Sequence, residues 1–168
     1  NFSHSLSIAE VQLAFCVRHE SRIASFYGGP RRLKGRAAAP VTYQVRIPGF
    51  TFDARIYQGD STLVYGGVRD ADGLPIIGKV ITGGLRDLRA ELEILQKVAG
   101  PGVVEAVGLF DSSEGPALVQ RRFGDANLAS LLRTSPVPIQ RALSVAIELA
   151  RTLERIHAKR VVHRDLNP

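Results

Sequence analysis

The order of apolar patterns along the chain is the feature that most limits its fold. Runs of alternating β-branched and aromatic residues predict strands at Phe50–Tyr57, Thr62–Val68, Leu74–Ile81, Val103–Phe110 and Ala117–Phe123. Between the third and the fourth of these runs, Leu85–Val98 places its apolar residues on one helical stripe. Short turns between consecutive strands favour antiparallel pairing, so the sequence predicts an α+β fold.

Two further helices are predicted after the strands. Leu128–Arg133 has the pattern of a short helix, and Ile139–Ala158 has the pattern of a long one. Leu143, Ile147 and Leu153 lie on one side of the long helix. We expect part of this apolar side to be exposed, because the sequence supplies no later helices to cover it.

Composition excludes several classes of protein. The 168 residues contain one cysteine, which excludes a disulfide scaffold and a four-cysteine zinc site. No apolar run reaches the roughly 20 residues that a membrane-spanning helix needs. The chain also lacks a secretory signal pattern at its start. We therefore expect a protein without a membrane span, in the reducing cytoplasm.

The positive charge is concentrated at one end. The chain has a formal net charge of +6, of which residues 1–47 carry +5. No aromatic residues interleave the basic residues of the stretch 28–36, as binding to single-stranded nucleic acid would require. We therefore interpret residues 1–47 as a basic leader that is expected to be disordered, although residues 41–47 also have a strand pattern, and we expect no nucleic-acid partner.

A motif after the long helix is the strongest functional signal. Valines at 161 and 162 lead into His163, Arg164, Asp165 and Leu166. The stretch resembles the catalytic loop of protein kinases, together with the long helix that precedes it. The resemblance implies that Asp165 orients the acceptor hydroxyl and takes its proton. It also implies that His163 supports the loop backbone and that Arg164 responds to phosphorylation of the activation loop.

The resemblance covers residues 48–168. It implies an antiparallel five-stranded small lobe with helix C over about 48–123, and the first helices of the large lobe over about 124–168. The chain contains no methionine, and it ends two residues after Leu166. We therefore expect a partial kinase domain that is truncated within its catalytic loop.

Lys79 resembles the lysine with which protein kinases hold the α- and β-phosphates of ATP. It lies on an otherwise apolar strand, where an unpaired charge would be costly. The resemblance implies a carboxylate partner on the next helix. Glu91 matches the family position best, and Glu93 is the alternative. The two glutamates are two positions apart, so they cannot face the same way on a helix.

The rest of the nucleotide site matches the family less closely. Of the three glycines in the phosphate-covering loop only Gly59 is present, because Tyr57 and Thr62 occupy the other positions. Glycines let a backbone approach phosphates closely, so the two missing glycines predict weaker binding of the phosphates. The resemblance assigns ATP binding to Gly59, Val64, Ile77, Lys79, the gatekeeper Gln120 and the hinge residue Arg121.

These matches imply a Ser/Thr protein kinase that uses ATP and Mg²⁺ to phosphorylate a protein substrate or signalling partner. The motif ends in Leu166, Asn167 and Pro168. With this ending the sequence resembles the kinase-like domain at the N-terminus of large bacterial multidomain sensor histidine kinases. The family's magnesium-binding Asn and Asp-Phe-Gly do not follow in these 168 residues, so no residue is assigned to a metal. We expect this chain alone to bind Mg-ATP weakly and to be an inefficient kinase.

Two other functions stay open. A non-catalytic, pseudokinase-like signalling module would fit a phosphate-covering loop that keeps only one of the family's three glycines. A small-molecule phosphotransferase of the aminoglycoside type shares a His-x-Asp loop, although Arg164 favours the protein kinases. The residues after Pro168 would distinguish an enzyme from a binding module.

Overall fold

The structure is a computed structural model of the 168-residue chain. It describes residues 45–82, 84–124, 133, 136–164 and 166. The interpretation of residues 1–44 as a leader lies outside the described residues, and so does the predicted short helix Leu128–Arg133, except for its last residue.

The described residues form five strands and two helices that position the candidate site. The strands are β1 Phe50–Gln58, β2 Thr62–Arg69, β3 Pro75–Ile81, β4 Ala106–Ser112 and β5 Gly115–Arg121, and the helices are α1 Leu85–Val98 and α2 Ile139–Ala158. All neighbouring strands pair antiparallel, in the order β1-β2-β3-β5-β4. The predicted α+β fold with a five-stranded antiparallel sheet is confirmed.

The last two strands differ in their bounds from the sequence prediction. β4 begins at Ala106 and not at Val103, because Gly102 adopts a φ of +77° and turns the chain. Val103 instead packs in the core beneath α1. At the other end, the Ser112 hydroxyl accepts a hydrogen bond from the Glu114 N–H and donates one to the Gly115 carbonyl. These bonds tighten the turn, so the hairpin strands extend to Ser112 and from Gly115.

α1 packs on one face of the sheet through a single stripe of its surface. Its buried residues recur at the three- and four-residue spacing of one helix face, and they are Leu88, Glu91, Leu95 and Val98. Leu118 of β5 and Ile156 of α2 complete the core on this side. Asp87 in the first turn and Lys97 in the last turn oppose the charges of the helix dipole favourably.

A second core covers the opposite face of the sheet. Val45 and Ile47 pack there against Phe52 and Tyr65. The Tyr65 hydroxyl also donates a 2.7 Å hydrogen bond to Glu114 in the turn between β4 and β5. The sequence analysis assigns residues 45–47 to the basic leader. In the structure, however, the side chains of Val45 and Ile47 are buried against the sheet.

α2 buries only the part of its surface near its C-terminal end. Thr152 and Ile156 are buried, whereas Ile139, Leu143 and Ile147 are exposed. The exposed apolar side that the sequence predicts is therefore present. Neither helix in the described part of the chain is long and apolar enough to cross a membrane.

Gly67 lies where β2 passes close to β1. A Cβ atom on Gly67 would overlap the carbonyl oxygen of Thr51, a backbone atom that the paired strands hold in place. We expect Gly67→Ala to lower the free energy of unfolding by about 1–3 kcal/mol, measured by urea denaturation. The matched control is Gly66→Ala, whose Cβ would meet the movable side chains of Arg122 and Ile56. Equal losses in the two variants would contradict this account.

Candidate functional site

Lys79 and Glu91 form a buried ion pair between the sheet and α1. The Lys79 Nζ and the Glu91 Oε2 are 2.6 Å apart. Lys79 is 8% exposed and Glu91 is 3% exposed. Such a short, desolvated, hydrogen-bonded contact holds both side chains in one arrangement.

The strand register and the helix period explain why these two residues meet. Lys79 lies opposite Leu118 of β5, and residues directly opposite share one face of a sheet. Leu118 packs in the core with Leu88 and Leu95, so this face is the one that α1 covers. Glu91 lies between those two leucines on the buried stripe of α1.

Glu93, the alternative partner, is on the solvent side of α1. It is exposed, whereas Glu91 is buried. The link from β3 to α1 is short, since Gly84 immediately precedes α1 and its carbonyl accepts a hydrogen bond from the Leu88 N–H. This tight link allows an ion pair across a separation of only twelve residues.

The electrostatics of Glu91 follow from its surroundings. Burial raises the pKa of Glu91 above its usual range, because a charged carboxylate loses its hydration. The positive charge and the hydrogen bond of Lys79 lower the pKa, and the amide of Gln120 lowers it further. Burial therefore disfavours the charged form of Glu91, whereas Lys79 and Gln120 favour it.

Three of the predicted ATP-binding residues share the sheet face of Lys79. Val64 of β2 lies opposite Lys79, and Ile77 lies opposite Gln120 of β5. All three side chains are buried. The structure thus brings two apolar side chains and one amide together around the lysine.

Gly66 and Arg122 belong to the same region and were missed by the sequence interpretation. The Arg122 guanidinium lies against Gly66, which is opposite Ile77 in the sheet. The two-residue alternation of a strand could have indicated Arg122, since it follows Gln120 by two positions.

Gly59 lies in the tight connection between β1 and β2. Its N–H donates a 2.8 Å hydrogen bond to the Thr62 carbonyl. The Tyr57 ring covers Gly59, because a Cβ added there would meet the Tyr57 hydroxyl first. The tyrosine that replaces the first glycine therefore occupies space above the second one.

Arg121 differs from the other predicted site residues. Its guanidinium contacts Glu105 at 3.5 Å and lies 4.7 Å from the centre of the Phe123 ring. The Arg121 N–H donates to the Glu105 carbonyl. The contacts of its side chain are thus with Glu105 and Phe123.

The catalytic-loop residues are described only in part. His163 is buried, whereas Arg164 is exposed with a φ of +63°. Asp165, the candidate base, lies outside the described residues. Within the described ranges, no three His, Cys, Asp or Glu residues group together to hold a metal ion.

Comparisons with known proteins agree with this geometry. Residues 50–168 match the family model for the protein kinase domain. The chain is 35% identical over 80 residues to serine/threonine-protein kinase pkn2 of Myxococcus xanthus, across 48% of this chain and 10% of that protein. It is 30% identical over 83 residues to RasGEF domain-containing serine/threonine-protein kinase X of Dictyostelium discoideum, across 49% of this chain and 9% of that protein.

A solved structure shows the same fold. The crystal structure of Rad53 in complex with AMP-PNP superposes with a TM-score of 0.61 and 23% sequence identity, covering 71% of this chain and 33% of that chain. This chain spans about a tenth of the length of the two curated relatives. The family match covers most of the described residues and contains the buried Lys79–Glu91 pair. The chain therefore belongs to the protein kinase domain family.

Proposed function

We propose that this chain is the ATP-binding part of a Ser/Thr protein kinase, which transfers the γ-phosphoryl group of ATP to a protein hydroxyl. The observation that carries the proposal is the 2.6 Å Lys79–Glu91 ion pair, buried between the sheet and α1. A buried charge pair is a poor source of stability compared with apolar packing. Its presence is better explained by a ligand whose charge the lysine meets.

Each residue has a role in this proposal. Lys79 contacts the α- and β-phosphates, and Glu91 holds the lysine in place. Val64 and Ile77 supply an apolar surface for the adenine ring, and backbone groups near Arg121 bond its edge. In protein kinases Mg²⁺ neutralises phosphate charge, and the described residues contain no group of three His, Cys, Asp or Glu side chains that could hold it.

The transfer itself requires Asp165. In the proposed step the substrate hydroxyl oxygen bonds to the γ-phosphorus, and the bond from that phosphorus to the β–γ bridging oxygen breaks. ADP leaves, and the hydroxyl proton passes to the Asp165 carboxylate. His163 and Arg164 position this loop.

The names of similar proteins support the proposal. Two relatives are named serine/threonine-protein kinases, and the similar solved structure contains AMP-PNP, an analogue of ATP. The Myxococcus xanthus relative also supports a place in bacterial signalling. A cytoplasmic location belongs to the same proposal, because ATP is the substrate.

A non-catalytic signalling module is the second candidate. The Tyr57 ring occupies the space over Gly59, where a phosphate-covering loop needs open backbone. A chain that binds nucleotide and transfers no phosphoryl group to any protein would favour this candidate over the enzyme.

ATP binding that depends on Lys79 tests the proposal. We expect calorimetry to detect weak Mg-ATP binding by the chain, and Lys79→Ala to weaken it at least about tenfold, since hydrogen bonds between charged groups are strong. The matched control is Lys97→Ala, which removes an exposed lysine from the last turn of α1. Circular dichroism would establish that each variant is folded under the conditions used. Equal ATP affinity in the original chain and a folded Lys79→Ala variant would overturn the proposal.

A further inference from the structure

Gln120 is a buried polar residue whose position the ATP-binding role does not fully explain. It is 6% exposed and lies opposite Ile77 on β3. Lys79 lies opposite Leu118, two positions along β5. Gln120 is therefore the diagonal neighbour of Lys79 on the sheet face that α1 covers.

The amide nitrogen of Gln120 is unsatisfied. Its Nε2 is buried and makes no hydrogen bond of ordinary geometry with any residue in the described part of the chain. A buried hydrogen-bond donor without an acceptor lowers the stability of the fold, because the donor has lost its bonds to water. A hydrophobic side chain of similar volume would avoid this loss of stability. The amide therefore needs an acceptor close at hand.

The acceptor within reach is the Glu91 carboxylate. Gln120 lies diagonally across the sheet from Lys79, whose Nζ is 2.6 Å from the Glu91 Oε2, so this carboxylate is a buried acceptor beside the amide. The Gln120 side chain also lowers the pKa of Glu91. One carboxylate oxygen, Oε2, already accepts the hydrogen bond from Lys79. A carboxylate has acceptor capacity for several donors, so an amide and an ammonium can bind it together.

Few other charged groups surround this carboxylate. On its own helix, Asp87 lies one turn earlier. From the sheet, β3 presents Lys79, and β5 presents the uncharged Leu118 and Gln120. The guanidinium of Arg122, which follows β5, lies farther along the same face against Gly66. The part of α2 that reaches this core contributes the apolar Ile156. Among the described residues, Lys79 and Gln120 are thus the groups that stabilise a negative charge on Glu91.

We propose that Gln120 is a positioning residue for the Lys79–Glu91 pair: its amide is the second donor to the Glu91 carboxylate and favours the ionised form of that carboxylate. The ion pair then persists to a lower pH than it would without the amide, and Lys79 stays oriented toward the phosphates. This inference rests on the proposed ATP-binding function for its consequence. The contact between Gln120 and Glu91 can be tested without nucleotide.

The first experiment measures the titration of Glu91 in the chain by NMR of its side-chain carboxyl carbon. Glu91→Gln identifies the signal by removing it. We expect Gln120→Met, which keeps the volume and removes the donor, to move the Glu91 midpoint to higher pH. Gln96→Met makes the same substitution at an exposed position of α1 and should leave the midpoint unchanged. An unchanged midpoint in Gln120→Met would overturn the proposal, and Gln120→Leu provides the same test if the methionine variant does not fold.

The second experiment measures ATP affinity as a function of pH. We expect the acid limb of the affinity profile to move to higher pH in Gln120→Met, so that the loss of affinity is about tenfold larger at the acid end than above neutrality. An equal loss of affinity at every pH would overturn the positioning role, because a purely structural defect has no such pH dependence. If the original chain binds no ATP, the ATP-binding proposal fails, and the Glu91 titration still decides the role of Gln120.

Discussion

Replacing Lys79 with methionine is expected to lower the free energy of unfolding by about 3–5 kcal/mol, because the Glu91 carboxylate then has no cationic partner in a buried site. Glu91 is 3% exposed and bonds Lys79 at 2.6 Å. Methionine keeps most of the volume and apolar length of lysine, so the loss reports the missing charge. Urea denaturation followed by circular dichroism measures the change.

The size of this loss should depend on pH. Burial already raises the pKa of Glu91, and removing Lys79 removes the largest opposing influence. The folded-state pKa of Glu91 then lies above its unfolded value, and the folded chain binds more protons than the unfolded chain between these two values. Stability therefore falls as pH rises through that window. We expect a smaller loss for Lys79→Met at about pH 5 than at about pH 8.

Two further variants make this prediction specific. Arg151→Ala breaks the exposed pair of Arg151 with Glu148 and should change stability by less than about 1 kcal/mol. The double variant Lys79→Met with Glu91→Leu removes both buried charges, and we expect it to recover most of the stability lost in the single variant. A single-variant loss no larger than that of Arg151→Ala would contradict the buried pair.

Replacing Ile156 with alanine should destabilise the chain by about 2–5 kcal/mol, because it leaves a cavity in the core. Ile156 is 1% exposed and packs in one cluster with Leu95 of α1 and Leu118 of β5. It is therefore the fully buried apolar residue of α2 in this core, and the partly buried Leu149 and Leu153 pack beside it. Thermal and urea unfolding of the variant both measure the loss.

The same helix provides the matched control. Ile147→Ala makes the identical chemical change on α2 at a side chain that is 51% exposed. We expect a change within about 0.5 kcal/mol, which is usual for exposed positions. Similar losses at the two positions would show that helix propensity, and not core packing, determines the effect.

Local patterns were enough to predict most of the secondary structure. The strand pattern has a period of two residues and the helix pattern a period of 3.6 residues. Both patterns can be recognised from residues that are close together in the sequence. The position of α1 and the antiparallel sheet were predicted for this reason. The predicted start of the fourth strand at Val103 was wrong, because β4 begins at Ala106, and Val103 makes a single β-bridge beside a turn and is buried in the core.

The site was predicted only as a set of residue identities. The spacing along α1 allowed either Glu91 or Glu93 to face Lys79, and packing against Leu118 puts Glu91 on the inner side. Nothing in the sequence indicated that Gln120 would have a buried amide without a partner beside that pair. The packing of Val45 and Ile47 on the other face of the sheet was likewise not predicted.

The sequence by itself determined the order of the elements, their approximate lengths and the candidate residues Lys79, Glu91 and Gln120. Tertiary structure alone decided which of these side chains meet. The pairing of β3 with β5 and the rotation of α1 about its axis are settled by contacts between residues far apart in the chain, and a local pattern specifies them only in part. In this protein those contacts bury a lysine, a glutamate and an amide together on one face of the sheet, and so turn separate residues into a site.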